Sequence, residues 1–423
     1  MNLLIKNIKI IDKNSPFHLQ TLDVLIENGI YSKIEKNIEV KNIEAKDIQV
    51  IDSNNLFLSN GWIDSSCSLG FPGFEDRETI TNGMLTAAKS GFTNLMITPN
   101  TNPVADQVSI TQNIVNQSFN HLVSLKPIGA MTQKMQGENL SEMFDMFQNQ
   151  VTNFTDYKKA IQNYNLIKVA LQYVQDFGGI LQIFPIDSNL KGKGFVNEGI
   201  ESTKLGLKGS ANIAEFSAIQ KTLALLEYTG GCVHFPTIST LESVALIRNA
   251  KNKGLKVSCS VAVHQLLFTD EMLHDFDTNY KVNPPLRTKT DQKALIDGVL
   301  DGTIEIICTD HNPINIEDKD LEFELAKDGT IGLESAFPAL KIILPIEIIV
   351  EKLTNAYKIF NYNIPKIELN EKANCTFIKD SETYNFTSNH ILSSSKNSIF
   401  LNHKMQGKVL GCYNNGRVLV NDL

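Results

Sequence analysis

Three stretches of the chain carry side chains whose type and position suit them to chemistry. In GWIDSSCSLGFPG, residues 61 to 73, small polar residues alternate with apolar ones, so in an extended strand Asp64, Ser66 and Ser68 share a face. Such a face suits a metal site when it carries imidazoles; here it offers one carboxylate and two hydroxyls. TIEIICTDHNP, residues 303 to 313, ends an apolar run in Asp310 and His311. The carboxylate is placed to act as a general base or metal ligand, or equally to cap the turn that Pro313 shapes. ITPNTNPVAD (97 to 106) and YKVNPPLRTKTD (280 to 291) set Asn100, Asn102, Asn283 and Arg287 among prolines, which fix irregular loops. Asx turns account for the first, and a rigid connector that satisfies its own backbone accounts for the second.

Other chemistries are excluded by what is missing. The eight histidines form no HxH, HxxxH or HExxH pair, so a local imidazole metal motif is absent. His234 in GCVHFPT and His264 in SVAVHQLLF read as hydrogen-bonded core residues. There is no GxSxG, GxGxxG or GxxxxGK[ST] pattern in a usable context, and Cys67 alternates away from Ser66 and Ser68, as a small buried hydrophobe would. Six cysteines without CxxC spacing fit reduced thiols in a cytoplasmic chain. A net charge of -8 argues against nucleic acid or a membrane surface as partner. No apolar run approaches the roughly 20 residues of a spanning helix.

Positioning these residues calls for a particular scaffold. From residue 61 short apolar runs alternate with amphipathic helical stretches, the pattern of βα units around a parallel sheet. The strand candidates are GWIDSSC, FTNLMIT, HLVSLKPIG, the segment Val151 to Phe154, GILQIFP, GCVHFPT, LKVSCSV and TIEIICTD. Eight of them over about 250 residues predict a closed (β/α)8 TIM barrel, whose active site lies at the C-terminal strand ends. Strand-like runs at both chain ends (LLIKNIKII, DVLIENG, QVIDS; NCTFIKD, KVLGCYNNGRVLVND) predict a small flanking β-domain. The expected division is 1–55 plus 368–423 for that domain and 56–367 for the barrel.

Taken in order, GWIDSSCSLGFPGFEDRETI, GFTNLMITPNTNPVAD, VNEGIESTKLGLKGSANIAE, TNYKVNPPLRTKTDQKALIDGVLDGTIEIICTDHNP and GLESAFPAL resemble the bacterial dihydroorotases of the amidohydrolase superfamily, over essentially the whole chain. The resemblance implies a barrel flanked by a β-sandwich, zinc as cofactor and hydrolysis of the ring amide of dihydroorotate. It also implies where the ligands stood. The family's DxHxHxR falls on Asp64, Ser66, Ser68 and Gly70, and its two later metal histidines fall on Phe184 and Thr237. Asp310 matches the metal-binding general base, and Asp156 lies in the stretch resembling the one that bridges the metals. Of the substrate contacts, Asn100 and Asn283 remain, while a substrate histidine falls on Ile314. The expectation is a homologue without zinc-dependent turnover and with no cofactor. It would be a structural or regulatory partner of aspartate transcarbamoylase or of a catalytic dihydroorotase, and a homo-oligomer. The alternatives are an active cyclic amidohydrolase and a module that binds a pyrimidine intermediate.

Overall fold

Alternating apolar residues in LLIKNIKII build β1 (Asn2–Ile11), and a sheet drawn from both ends of the chain assembles on it. The computed structural model describes residues 2–39, 48–52 and 55–421. Ser53 and Asp422, which belong to two of the expected strand-like runs, lie outside them. β2 (Thr21–Glu27) and β3 (Ile30–Glu35) follow β1 as antiparallel neighbours. β4 (Ile48–Asp52) pairs with the first half of β1, and β5 (Leu56–Asn60) with its second half, both parallel. The sheet therefore runs to Asn60, past the boundary expected at residue 55.

Eight parallel strands then form a ring. β6 (Trp62–Cys67), β7 (Phe92–Ile97) and β8 (Ser124–Pro127) make one sheet. β9 (Asn153–Phe154) and β10 (Ile180–Gln182) begin a second. β11 (Val196–Asn197) and β12 (Gly209–Ser210) are a separate short pair. β13 (Val233–Phe235), β14 (Val257–Ala262) and β15 (Ile306–Cys308) complete the second sheet. Isolated parallel bridges span both seams, Gly129 to Phe154 between β8 and β9, and Cys67 to His311 between β6 and β15. All eight expected strands are present. The chain ends with β16 (Cys375–Asn385), β17 (Lys404–Asn414) and β18 (Arg417–Val420), which join the first sheet through β5. Pairing yields one eight-stranded sheet there, and no second layer of a sandwich is among the described pairings. Among the described residues no helix is long and apolar enough to cross a membrane.

The ring is filled, not open. Ile63, Met96, Ile128, Ile180 and Ile306 meet inside it, with Tyr357 and Phe360 packed against them. Tyr357 donates to the carbonyl of Gly61 at 3.1 Å and accepts from Asn94 at 2.7 Å, which seats this plug at the N-terminal strand ends. Asp64 is fully buried on β6, and its carboxylate accepts the Thr309 backbone N–H at 2.9 Å and the Thr309 hydroxyl, tying β6 to the end of β15. Burial raises the Asp64 carboxyl to about 7, against the pull of the Thr309 hydrogen bonds.

The folded pKa of Asp64 thus lies above the unfolded one. Its contribution to stability is complete below the unfolded carboxylate range and is lost as pH rises through about 7. In denaturant titrations from pH 4 to 8, wild type should lose stability relative to Asp64→Asn by up to about 1.4 kcal/mol per pH unit. Parallel curves for the two proteins would contradict this.

Candidate functional site

Three of the ring's strands end in residues held in the left-handed region, Tyr157 at φ 56°, Thr237 at φ 48° and Asp310 at φ 51°. A β-branched residue is poorly tolerated there, so Thr237 is held by its surroundings, including its backbone N–H donated to Ser260 Oγ at 3.1 Å. These turns aim side chains into the mouth formed by the C-terminal strand ends.

Asp310 is 3% exposed and faces a cation of the protein's own. The Lys158 ammonium, which follows β9, lies 2.7 Å from its Oδ2, and the Ser66 hydroxyl reaches Oδ1 at 3.4 Å. Burial opposes the charge on Lys158, yet the Asp310 carboxylate outweighs it and keeps the ammonium well above the ordinary lysine range. Burial also lifts the Asp310 carboxyl, and Lys158 draws it back. Around the pair Ser65, Ser66, Tyr157, Phe184 and Thr237 enclose a cavity of about 20 Å³. That is room for one water, whereas a small-molecule site needs several hundred cubic ångströms.

The other candidates are dispersed. Ser68 leans away to Asn100, whose Nδ2 lies 3.4 Å from Ser68 Oγ, while Asn100 Oδ1 already accepts from Thr98 at 2.6 Å. Asp156 does not face Asp310: it accepts the backbone N–H of Thr132 at 2.8 Å and the Thr132 hydroxyl. Asn283 is half-buried on the proline loop, joined to Pro284 by a cis bond, and does not line the cavity. Arg287 is consumed in the interior by Asn197 Oδ1 at 3.1 Å, the Ser210 carbonyl at 2.7 Å and Ser239 Oγ at 3.1 Å.

Of the two histidines expected to be hydrogen-bonded core residues, one is and one is not. His234 is hydrogen-bonded as expected, to Ser258 and Ser260 at 2.9 and 3.2 Å. His264 is fully buried with neither ring nitrogen partnered, and burial lowers it to about 3. No hydrogen bond supports it. The residue that sequence reasoning missed is Lys158. β9 is only two residues long, so periodicity could not say which side chain of FTDYKK turns inward. A lysine pair just past a strand end, in a ring that also delivers a carboxylate, was the available signal.

Comparison with known proteins follows from this geometry. A family model described as dihydro-orotase-like matches residues 56–243. The dihydroorotase of Acetivibrio thermocellus is 37% identical over 409 residues, 95% of each chain, and that of Geotalea daltonii is 35% identical over 426 residues, 99% of each. The chain belongs to the dihydroorotase-like family. Among solved structures, L-hydantoinase (dihydropyrimidinase) from Arthrobacter aurescens superimposes with a TM-score of 0.84 at 18% identity, covering 99% of this chain and 96% of that one. Dihydropyrimidinase from Brevibacillus agri gives 0.79 at 18%, covering 100% and 95%. Likeness at that identity establishes the fold, the amidohydrolase TIM barrel. Within this family member, no group of three His, Cys, Asp or Glu side chains among the described residues could hold a metal ion.

Breaking a buried ion pair on one side strands the other charge, at a cost of about 3–5 kcal/mol, whereas replacing both partners is near neutral. Lys158→Met and Asp310→Leu should each destabilise by roughly that amount. The double variant should regain most of it in urea unfolding. Strictly additive losses would show that the two charges do not neutralise one another.

Proposed function

We propose that this chain keeps the dihydroorotase scaffold without zinc-dependent hydrolysis and serves pyrimidine biosynthesis as a structural or regulatory partner, of aspartate transcarbamoylase or of a catalytic dihydroorotase. The observation that carries the reading is the Lys158–Asp310 ion pair. Asp310 would be the family's metal-binding base, and the cation beside it is a tethered ammonium. Zinc does not fit this donor set: Ser66, Ser68, Phe184 and Thr237 supply no imidazole, and a divalent ion beside Asp310 would meet the charge of Lys158. Bound zinc lowers the pKa of water from about 15.7 to roughly 7. A residual general base is worth about 10²–10⁴-fold, so Asp310 cannot make good that loss.

The backbone supports the same reading. Gly70, where the family's substrate arginine would stand, has φ +68°, and a Cβ there would lie 2.3 Å from the carbonyl oxygen of Phe74. Arginine cannot be restored at position 70 unless that turn is rebuilt. Ile314, where a substrate histidine would stand, is 3% exposed and apolar. Neither position offers a partner for a substrate carboxylate, which also weighs against a module that binds a pyrimidine intermediate there. The reading takes the chain as a cytoplasmic protein and a homo-oligomer, with a flanking domain formed from its two ends.

A second reading, an active dihydroorotase, draws on one observation: the identity to proteins of that name extends over 95% of the chain. Turnover separates the two. Wild type should show no dihydroorotate hydrolysis and, by elemental analysis after purification without chelator, far less than one zinc per chain. Turnover abolished by Asp310→Ala would establish the active reading instead. Placing histidine at Ser66, Ser68, Phe184 and Thr237 should give a variant that binds zinc about tenfold or more weakly than the same variant carrying Lys158→Ala. Equal zinc affinities would remove Lys158 from the argument.

A further inference from the structure

A second, half-buried lysine lacks what Lys158 has. Lys126 lies on β8, one pleat before Ile128, and Ile128 packs in the ring's apolar interior. Its ammonium sits 5.6 Å from the Tyr362 ring centroid and lines a cavity of about 500 Å³ at the N-terminal strand ends, the face opposite the mouth. No carboxylate lines that cavity, in a chain of net charge -8. Eight asparagine and glutamine side chains do. No ion pair of Lys126 is found among the described residues, and burial pulls its pKa below the ordinary lysine value. Asn374, on the same wall, has a buried Oδ1 without a hydrogen-bond partner.

An unpaired cation in a partly dry interior calls for a counter-charge. A single lysine acts as a point charge suited to phosphate, where carboxylate recognition favours the arginine fork. The cavity is much larger than one phosphate, falls within the range of small-molecule sites, and its amides suit a body rich in hydroxyl groups. We infer that this cavity binds a phosphorylated sugar, free or as a nucleoside monophosphate, with its phosphate on Lys126 and its hydroxyls on the amide wall. Tyr357 and Tyr362, from the segment that plugs the ring, line the same space, so the ligand would brace the plug from outside.

Calorimetry on the full chain tests this with ribose 5-phosphate and cytidine 5′-monophosphate, against ribose and inorganic phosphate. The expected result is saturable binding of at least one ester, about tenfold or more tighter than either control and weakened by about tenfold or more in Lys126→Gln. Binding of ribose 5-phosphate as tight as that of the nucleotide identifies the free sugar phosphate as the ligand type, and a clear gain for the nucleotide identifies the nucleoside form. Should Lys126→Gln fail to fold, hydrogen exchange on wild type decides: the ester should protect residues 124–127 and 355–363. No binding of either ester, binding untouched by Lys126→Gln, inorganic phosphate binding as tightly as the esters, or protection at the mouth instead, would each overturn the inference.

Discussion

A carboxylate sealed into a protein interior has to be neutralised, and the C-terminal mouth of this barrel is arranged around how Asp310 meets that requirement. Its counter-charge comes from Lys158 at 2.7 Å, a cation that is part of the chain and cannot dissociate. The side chains around the pair are mostly small or apolar. Phe184 and Thr237 fill in beside Tyr157, and the space left holds little more than a water. The strain at Thr237 and the left-handed turns at Tyr157 and Asp310 persist because the strand ends still have to deliver side chains to a common point.

The sequence made the strands of the ring legible because each one is an apolar run bounded by turn residues, and a run buried on both faces has that signature. It was less informative at the ends. β3 and β5 were not foreseen, since IYSKIE mixes charge into its alternation and LFLSN is short and follows directly on a turn. At the site, Ser66, Ser68, Phe184 and Thr237 could be read from motif spacing as the positions where the resemblance expects histidines, but the pairing of Lys158 with Asp310 could not. Asp156 lies in the stretch that resembles the family's bridging one, and past the backbone turn at Tyr157 it is Lys158 that meets Asp310. The closure at Gly70 was likewise invisible, because a glycine shows that a turn is permitted and not which carbonyl presses against it.

Three cations, one buried and two partly buried, show how differently one chain can treat the same problem. Arg287 is held by neutral acceptors and lies 3.9 Å from Glu215, and it locks the proline loop to the elements beneath it. Lys158 is paired at short range with Asp310 at the C-terminal strand ends. Lys126 is left facing an amide-lined cavity with only an aromatic ring nearby. The first two are satisfied within the fold and explain rigidity. The third is half-buried at the wall of a cavity and has no ion pair among the described residues. The fold itself rests on the filled ring and the sheet drawn from both chain ends.

The central claim is that a lysine ammonium has taken the place of the metal beside Asp310. A crystal structure of the wild-type protein grown with excess zinc, with anomalous data collected at the zinc edge, tests it most directly. The account predicts no anomalous peak within bonding distance of Asp310 and density for Lys158 in contact with its carboxylate. A zinc peak on Asp310 with Lys158 displaced would contradict it.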